Sequence, residues 1–337
     1  MPRPPLLRVT ASGLYCEAGG FHIDPSAPVA KAVISHAHGD HAVPGSARYL
    51  TTPSSARILQ HRMGKFARVE QLPYGKALDL NGVRVSFHPA GHVLGSAQVR
   101  VEHQGEVWVF SGDYRTTPNN TCEPFEPVPC QTFITESTFG RPYFAWPELT
   151  GVVEQIHAWW RDNQARGHAS FLYAYAFGKA QRLLALLNPD VGPIFVHPKV
   201  AEINAPYREQ GIALPPDRVT GRDLTAREWG QALVILPPAI RWQPDFPFHG
   251  HFSTAFASGW MLFPNESHRR RVDTGFVVSD HADYGEILST IRATGAEQVH
   301  VMHGYVDDLT ADLRQQGIQA HAMHLRGCRT PPALPVT

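Results

Sequence analysis

The chain has 337 residues, too many for one ordinary core, and fits two packed units or one large fold with an insertion. Its apolar share of 43% is that of a water-soluble globular protein, and no stretch approaches the ~20 apolar residues a membrane helix needs, so no membrane partner is expected. Thirty Lys and Arg balance thirty Asp and Glu, so a polyanionic partner would have to be held by local clusters such as His268-Arg269-Arg270-Arg271.

Four cysteines, Cys16, Cys122, Cys130 and Cys328, form no C-x-x-C pair, which argues against a disulfide framework and a thiolate zinc knuckle. The start, Met1-Pro2-Arg3-Pro4-Pro5, lacks the apolar run of a signal peptide, and a cytoplasmic location is expected. The compositional anomaly is nineteen histidines. Histidine is the commonest neutral metal ligand, so their clustering matters more than their number.

In chain order, Ala30-Lys31-Ala32-Val33-Ile34 predicts a short strand leading into a histidine-rich loop. Ser54 to Met63 predicts a helix with Ser54 or Ser55 as N-cap. Val83 to Phe87 alternates apolar and polar, as a half-buried strand does. Ala97 to Glu102 and Val107 to Phe110 predict a hairpin turning at His103-Gln104-Gly105, and Thr132 to Thr135 a further strand. After residue 145 strands and helices alternate, the texture of a parallel α/β unit. Helices are expected over 148–166, from Gly178 through Leu187, and over 201–210. Strands are expected over 169–176, 193–197 and 232–236. The segment 240–271, rich in Pro, aromatics and Gly, carries no clear period. Strands at 275–278, 298–302 and 319–324 then alternate with helices at 284–293 and 307–316.

The run His36-Ala37-His38-Gly39-Asp40-His41 puts three imidazoles and a carboxylate within six residues, directly after a predicted strand. In an extended or turning loop, His36 and His38 reach one metal ion, and Asp40 and His41 a second one close by. Zinc takes both donor types readily. Downstream, Tyr175-Ala176-Phe177-Gly178-Lys179 ends a predicted strand and opens a helix. Its free N–H groups and the Lys179 charge suit an anion such as phosphate.

The histidine run resembles the signature of the metallo-β-lactamase superfamily. Phe21-His22-Ile23-Asp24, Ala90-Gly91-His92 and Phe110-Ser111-Gly112-Asp113 resemble its further motifs, in order. Thr135-Glu136-Ser137-Thr138, Ser279-Asp280-His281-Ala282-Asp283 and Met302-His303-Gly304 resemble the three motifs of its β-CASP nuclease branch, so the likeness spans about residues 24 to 304. The resemblance implies an α/β fold, a metallo-β-lactamase αββα sandwich over 1–145 and 273–337 with an inserted α/β β-CASP cap over 146–272. It implies two divalent ions, Zn2+ or Mn2+. His36, His38 and His92 would hold one, Asp40, His41 and His303 the other, with Asp113 bridging and Asp24 behind the ligands. Asp40 would accept a hydrogen bond from the attacking water, His281 would act as general acid, and Glu136 would fix its tautomer and keep it protonated. Gly178, Lys179 and Ser279, with Arg269 to Arg271, would grip phosphates.

The length, the Ser-Asp-His-Ala-Asp motif and the Gly-Lys loop resemble bacterial exonucleases associated with DNA ligases. That implies a single-strand DNA exonuclease of repair, leaving 5′-phosphates and working beside a DNA ligase or helicase. His303 resembles instead the RNA-processing members, which leaves a ribonuclease as the alternative. A small-molecule metallo-hydrolase, such as a thioesterase or lactonase, accounts for the first four motifs but not for Glu136, His281 and the insertion. An inactive scaffold would lack several ligands, whereas here every ligand position is filled.

Overall fold

The computed structural model describes residues 4–220, 225–242 and 250–324; Cys328, Met1 to Arg3 and part of the 240–271 segment lie outside the described residues. Two units emerge, Met1–Ala145 with His281–Thr337, and Trp146–Asp280.

In the first unit, short apolar runs separated by turns make many small strands. β1 (Arg8–Thr10), β2 (Gly13–Cys16), β3 (Phe21–Ile23), β4 (Ala32–Val33), β5 (Tyr49–Thr51) and β6 (Val69–Gln71) follow one another across one sheet. The pairing is antiparallel from β1 to β3 and parallel from β3 to β6. The strand expected over 30–34 shrinks to Ala32–Val33, because the chain leaves the sheet at Ile34 to form the histidine loop. Helix α1 (Pro53–Met63) begins one residue before the expected start. Thr52, rather than Ser54 or Ser55, caps it by accepting from the Ser55 N–H.

β7 (Ala77–Leu80), β8 (Val83–Pro89), β9 (Ala97–His103), β10 (Glu106–Phe110) and β11 (Thr132–Ser137) start the second sheet. Period-two alternation decides its faces. Val83, Val85, Phe87, Val99, Val101, Phe110 and Ile134 point into a core shared with Leu14, Phe21, Ile23 and Val33 of the first sheet. Val109 and Phe133 point to the opposite face.

The second unit opens with α2 (Leu149–Ala165), whose Val152, Ile156 and Trp160 enter its core. Its strands are β12 (Ala169–Tyr173), β13 (Ile194–Val196), β14 (Leu233–Leu236), β15 (Phe252–Ala257) and β16 (Thr274–Phe276). They lie in the order β13-β14-β12-β15-β16, all parallel. β15 falls in the segment that carried no clear period. Helices α3 (Lys179–Leu186), α4 (Pro198–Glu209), α5 (Ala226–Gln231) and α6 (Glu266–Arg269) connect them. Residues 273–280, expected with the C-terminal part, group with this unit because β16 pairs in register with β15.

The chain then returns to the first unit. α7 (Tyr284–Thr294) is capped by the Asp283–Glu286 box, and β17 (Gln298–Gly304), α8 (Val306–Gln315) and β18 (Ala320–Ala322) follow. β17 pairs parallel with β11 and β18 with β17, completing seven strands among the described residues. Ile287, Ile291, Leu309 and Leu313 of α7 and α8 cover the face that carries Val109 and Phe133.

His300 of β17 stacks between Trp108 and His321 at ring-centroid distances of 5.4 and 5.2 Å. Burial, helped by His321, pushes its pKa down to about 4. An unfolded histidine titrates near 6.5. The unfolded chain therefore takes up a proton that the folded one refuses, so this contribution is intact above about pH 6.5 and is lost as pH falls toward 4. Screening at this half-buried position limits it to about 1–2 kcal/mol. The His300→Gln variant should lose less stability than the parent between pH 7 and 4.5, read by urea denaturation at both pH values. Equal losses would show that His300 does not set the acid sensitivity.

Candidate metal centre

Each candidate residue sits where a strand ends. Asp24 follows β3 and takes φ 42°, a conformation that Asp tolerates better than most residues. Its Oδ1 accepts from the Ser35 N–H at 2.7 Å, and its Oδ2 accepts from the Ser35 hydroxyl and meets His41 Nδ1 at 2.7 Å. One carboxylate thereby pins both ends of the loop after β4. His92 lies in the loop between β8 and β9, where Ser96 Oγ accepts from the His92 and Val93 N–H groups at 3.1 and 3.2 Å. Gly112 has φ 57°, and a Cβ there would stand 2.8 Å from Ser35 Cβ, so glycine lets Asp113 approach the histidine loop. His303, next to last in β17, takes φ 54°, its carbonyl accepting from Ser137 Oγ.

Four side chains converge on one point. His36 Nε2 lies 3.0 Å and His92 Nε2 3.2 Å from His38 Nδ1, and Asp113 Oδ2 stands 3.5 and 3.8 Å from the first two. Nitrogens placed tetrahedrally about 2.0–2.1 Å from a zinc ion would stand roughly 3.3 Å apart, close to this spacing. A second group, His41, Asp113 and His303, shares the same carboxylate, with His41 Nε2 3.2 Å from Asp113 Oδ2. His41 Nδ1 faces Asp24, and its buried Nε2 makes no hydrogen bond. Two imidazoles and a carboxylate converging in a buried space are a donor set that zinc takes, and these residues fit a metal ion. Asp40 stands apart from these groups. It is exposed in the turn that precedes His41 and has no oxygen in the sets that converge within 4.8 Å.

The electrostatics of His36, His303 and Asp113 suit ligand roles, whereas His41 is drawn toward its protonated form by the carboxylates around it. Burial, then the fields of His41, His38 and His92, holds His36 well below its usual range despite Asp113, leaving one ring nitrogen with its lone pair available. Burial lowers His41 too, but Asp113 and Asp24 reverse this and hold it well above. Burial would raise Asp113, yet the facing His41, His281 and His36 bring it well below the usual carboxylate range. Burial and His41 lower His303. Burial raises Asp40, and His41 and His38 outweigh it.

Glu136 and His281 form a third group around Asp113. Both Glu136 oxygens lie 3.0 Å from His281 Nδ1, which stands 3.9 Å from Asp113 Oδ2. Glu136 is itself fixed. It accepts from the Tyr114 N–H at 2.9 Å, and its own N–H donates to Ser111 Oγ at 3.2 Å. The His281 and His92 rings are 4.6 Å apart.

The phosphate grip expected in the second unit is otherwise engaged. Lys179 is buried, its Nζ donating to Asp280 Oδ2 at 2.7 Å and to the Val278 carbonyl at 3.0 Å. The Gly178 N–H donates to Gln181 Oε1 at 2.8 Å, and the carbonyl of buried Ser279 accepts from Arg182. Asp280 is the reason: a buried carboxylate demands cations, and Lys179 and Arg182 supply them. Arg269 and Arg270 likewise meet buried Glu266 at 2.6 and 3.1 Å. Sequence reasoning missed the supports of the site. Ser35, Ser96, Ser111 and the Tyr114 N–H act through ordinary-looking residues. Arg62, which donates to the Ala37 carbonyl, comes from a helix 25 residues away.

No family model matches the chain. It is 31% identical over 316 residues to a protein of Opitutus terrae called Probable DNA ligase, over 92% of this chain and 30% of that protein. It is 32% identical over 139 residues to Endoribonuclease YSH1 of Candida albicans and 30% identical over 128 residues to that of Saccharomyces cerevisiae. These matches cover 37% and 36% of this chain, and 14% and 16% of those proteins. These likenesses support the resemblance of the chain to the β-CASP branch of the metallo-β-lactamase superfamily. The chain spans less than a third of the length of these β-CASP and ligase-related proteins. A crystal structure of a protein of unknown function from Enterococcus faecalis superposes with a TM-score of 0.54 at 13% identity, covering 81% of this chain and 75% of that one, a likeness of fold alone.

A ligand that binds only the folded chain stabilises it, by about 2.7 kcal/mol at a hundred times its dissociation constant. Dialysis against a chelator should lower the melting temperature by several degrees, and added Zn2+ or Mn2+ should restore it. Asp113→Ala should melt at the same temperature with and without metal, read by scanning calorimetry. A metal-induced rise that survives Asp113→Ala would remove Asp113 from the centre.

Proposed function

We propose that the chain is a two-metal phosphodiesterase that cleaves single-stranded DNA in the cytoplasm as a repair exonuclease, leaving 5′-phosphates. The observation that carries this reading is the sharing of Asp113 Oδ2, which lies 3.2 to 3.9 Å from His41, His36, His92 and His281. One buried carboxylate thus links two ligand groups to a histidine–glutamate pair. On this reading Met1–Ala145 and His281–Thr337 form the αββα metallo-β-lactamase sandwich and Trp146–Asp280 the β-CASP cap. The core shared by two sheets and the all-parallel third sheet support it.

His36, His38 and His92 would hold one divalent ion, Zn2+ or Mn2+, and His41, His303 and Asp40 the other, with Asp113 between them. Bound ions supply positive charge for a phosphodiester and a water acidified for attack. The residues supply the rest. Asp40, in the turn beside His41, would accept a hydrogen bond from the attacking water. Glu136 fixes the His281 tautomer with Nδ1–H toward itself, which leaves Nε2 to carry a proton. His281 would deliver that proton to the departing 3′ oxygen, a poor leaving group unless protonated.

The 31% identity to the protein called Probable DNA ligase runs over most of this chain and supports a DNA substrate and work beside a ligase or helicase. The endoribonuclease relatives support the second reading, an RNA-cleaving enzyme with the same centre. End-labelled DNA and RNA of one sequence, with Zn2+ or Mn2+, separate the two.

His281→Ala should keep both metals and lose about 10²–10⁴-fold in rate, the usual span for general acid–base catalysis. A substrate with a sulfur leaving group needs no proton, and this variant should cleave it almost normally. Equal impairment on both substrates would exclude His281 as the acid. Asp40→Asn should lose most activity, and near-normal turnover with both metals bound would remove Asp40 from the mechanism.

A further inference from the structure

Asp24 holds the histidine loop at Ser35 and at His41. Between these points the chain must turn, so that the His38 ring faces His36 and His92 while Asp40 comes to lie beside His41. The turn is closed from inside by the His38 carbonyl, which accepts from the N–H groups of His41 and Ala42 at 3.3 and 3.0 Å. Ala37 is buried, and its carbonyl needs a donor of its own. Arg62 supplies it from the last turn of α1.

Gly39 records the same contact. Its φ lies outside the left-handed region, so the backbone alone does not call for glycine there. A Cβ at this position would stand 3.0 Å from Arg62 Nη2, and the three atoms nearest to it all belong to the Arg62 guanidinium. Glycine thus leaves room for the guanidinium to lie against the turn. It is also the residue with the most backbone freedom to lose, so the shape of this turn depends on what grips it. Nη1 meets the Ala37 carbonyl while Nη2 lies over Gly39, a two-point fit that a planar guanidinium makes and a compact ammonium does not. Burial makes the Arg62 charge costly, and the neighbouring Asp40 carboxylate favours it.

We propose that Arg62 is a positioning residue for the second metal ion: by gripping the Ala37 carbonyl across Gly39, it sets the direction of the Asp40 carboxylate. This role rests on the two-metal reading, in which Asp40, His41 and His303 take that ion. Of the three, His41 is oriented by Asp24, and the backbone of His303 is held by Ser137. Asp40 stands in an exposed turn, and Arg62 is the clamp on that turn. A role confined to packing α1 against the loop would instead lower the stability of the metal-free chain and weaken both ions alike.

The test is a Co2+ titration of the full metal-free chain, followed by visible absorption, which counts the ions and gives an affinity for each. Asp40→Asn marks the step that belongs to the second ion. Arg62→Ala should weaken that same step by about 10- to 100-fold, the usual cost of removing an outer partner of a metal ligand, and leave the other step unchanged. Arg62→Lys keeps a charge beside Asp40 without the two-point fit and should not restore the step. Gly39→Ala should weaken it as well, because the new methyl meets the guanidinium, and should add little in the Arg62→Ala background, as residues in contact do. An Arg62→Ala titration that matches the parent's overturns the role. So does equal weakening of both steps with a lower melting temperature of the metal-free chain, which would make Arg62 a packing residue. Full restoration by Arg62→Lys would assign the effect to charge alone and remove the clamp. If Asp40→Asn leaves both steps intact, Asp40 is no ligand and the two-metal reading fails at that residue. If Asp40→Asn weakens a step that Arg62→Ala spares, that reading stands and the positioning role falls.

Discussion

The Asp113 carboxylate is the constraint around which the first unit is arranged. A buried negative charge is expensive unless cations or donors surround it, and here four imidazoles face it. Those imidazoles come from the loop after β4, the loop between β8 and β9, and the return from the second unit, with His303, next to last in β17, close by. All these chain segments must therefore arrive together. Asp24 works one layer back by the same rule, holding Ser35 and His41 through a single carboxylate. Glu136 repeats the device for His281, itself pinned by Tyr114 and Ser111. Three carboxylates thus set the orientation of rings that would otherwise rotate, and orientation decides whether lone pairs converge.

Much of the centre was legible before the structure because metal chemistry restricts residue type. His36, His38 and His41 crowd three imidazoles into one short run, which neither packing nor solubility requires, and the later motifs appear in order along the chain. Where each lone pair points was not legible, since that depends on partners such as Ser35 and Arg62 that carry no signature. The α/β texture after residue 145 was readable from helical and apolar periods in Leu149–Ala165 and Leu233–Leu236. The three-residue strands β1, β5 and β6 were not, because three residues are too few to show a period. β15 was hidden by its composition, Phe252–Ala257 mixing Ser, Thr and Ala with aromatics in a stretch otherwise rich in Pro and Gly.

Lys179 shows how a local reading can fail. Its position at the start of a helix after a glycine suits an anion, and the structure does give it one. The anion is Asp280, which lies 101 residues on. A sequence pattern identifies a demand for a partner more readily than it identifies the partner. The same caution applies to Arg269 and Arg270, whose place in a basic run hid a buried Glu266.

The parallel pairing of β17 with β11 has a consequence for how the chain is made. β11 ends at Ser137, and its partner begins only at Gln298. During synthesis the second unit, continuous from Trp146 to Asp280, is complete before the first can be. Until β17 emerges, β11 presents an open apolar edge, the kind of surface that pairs with the wrong strand. His281 and His303 arrive in that same late stretch. The ligand set around Asp113 is therefore the last part of the molecule to close. A nascent or truncated chain would hold much of its secondary structure with an unfinished centre.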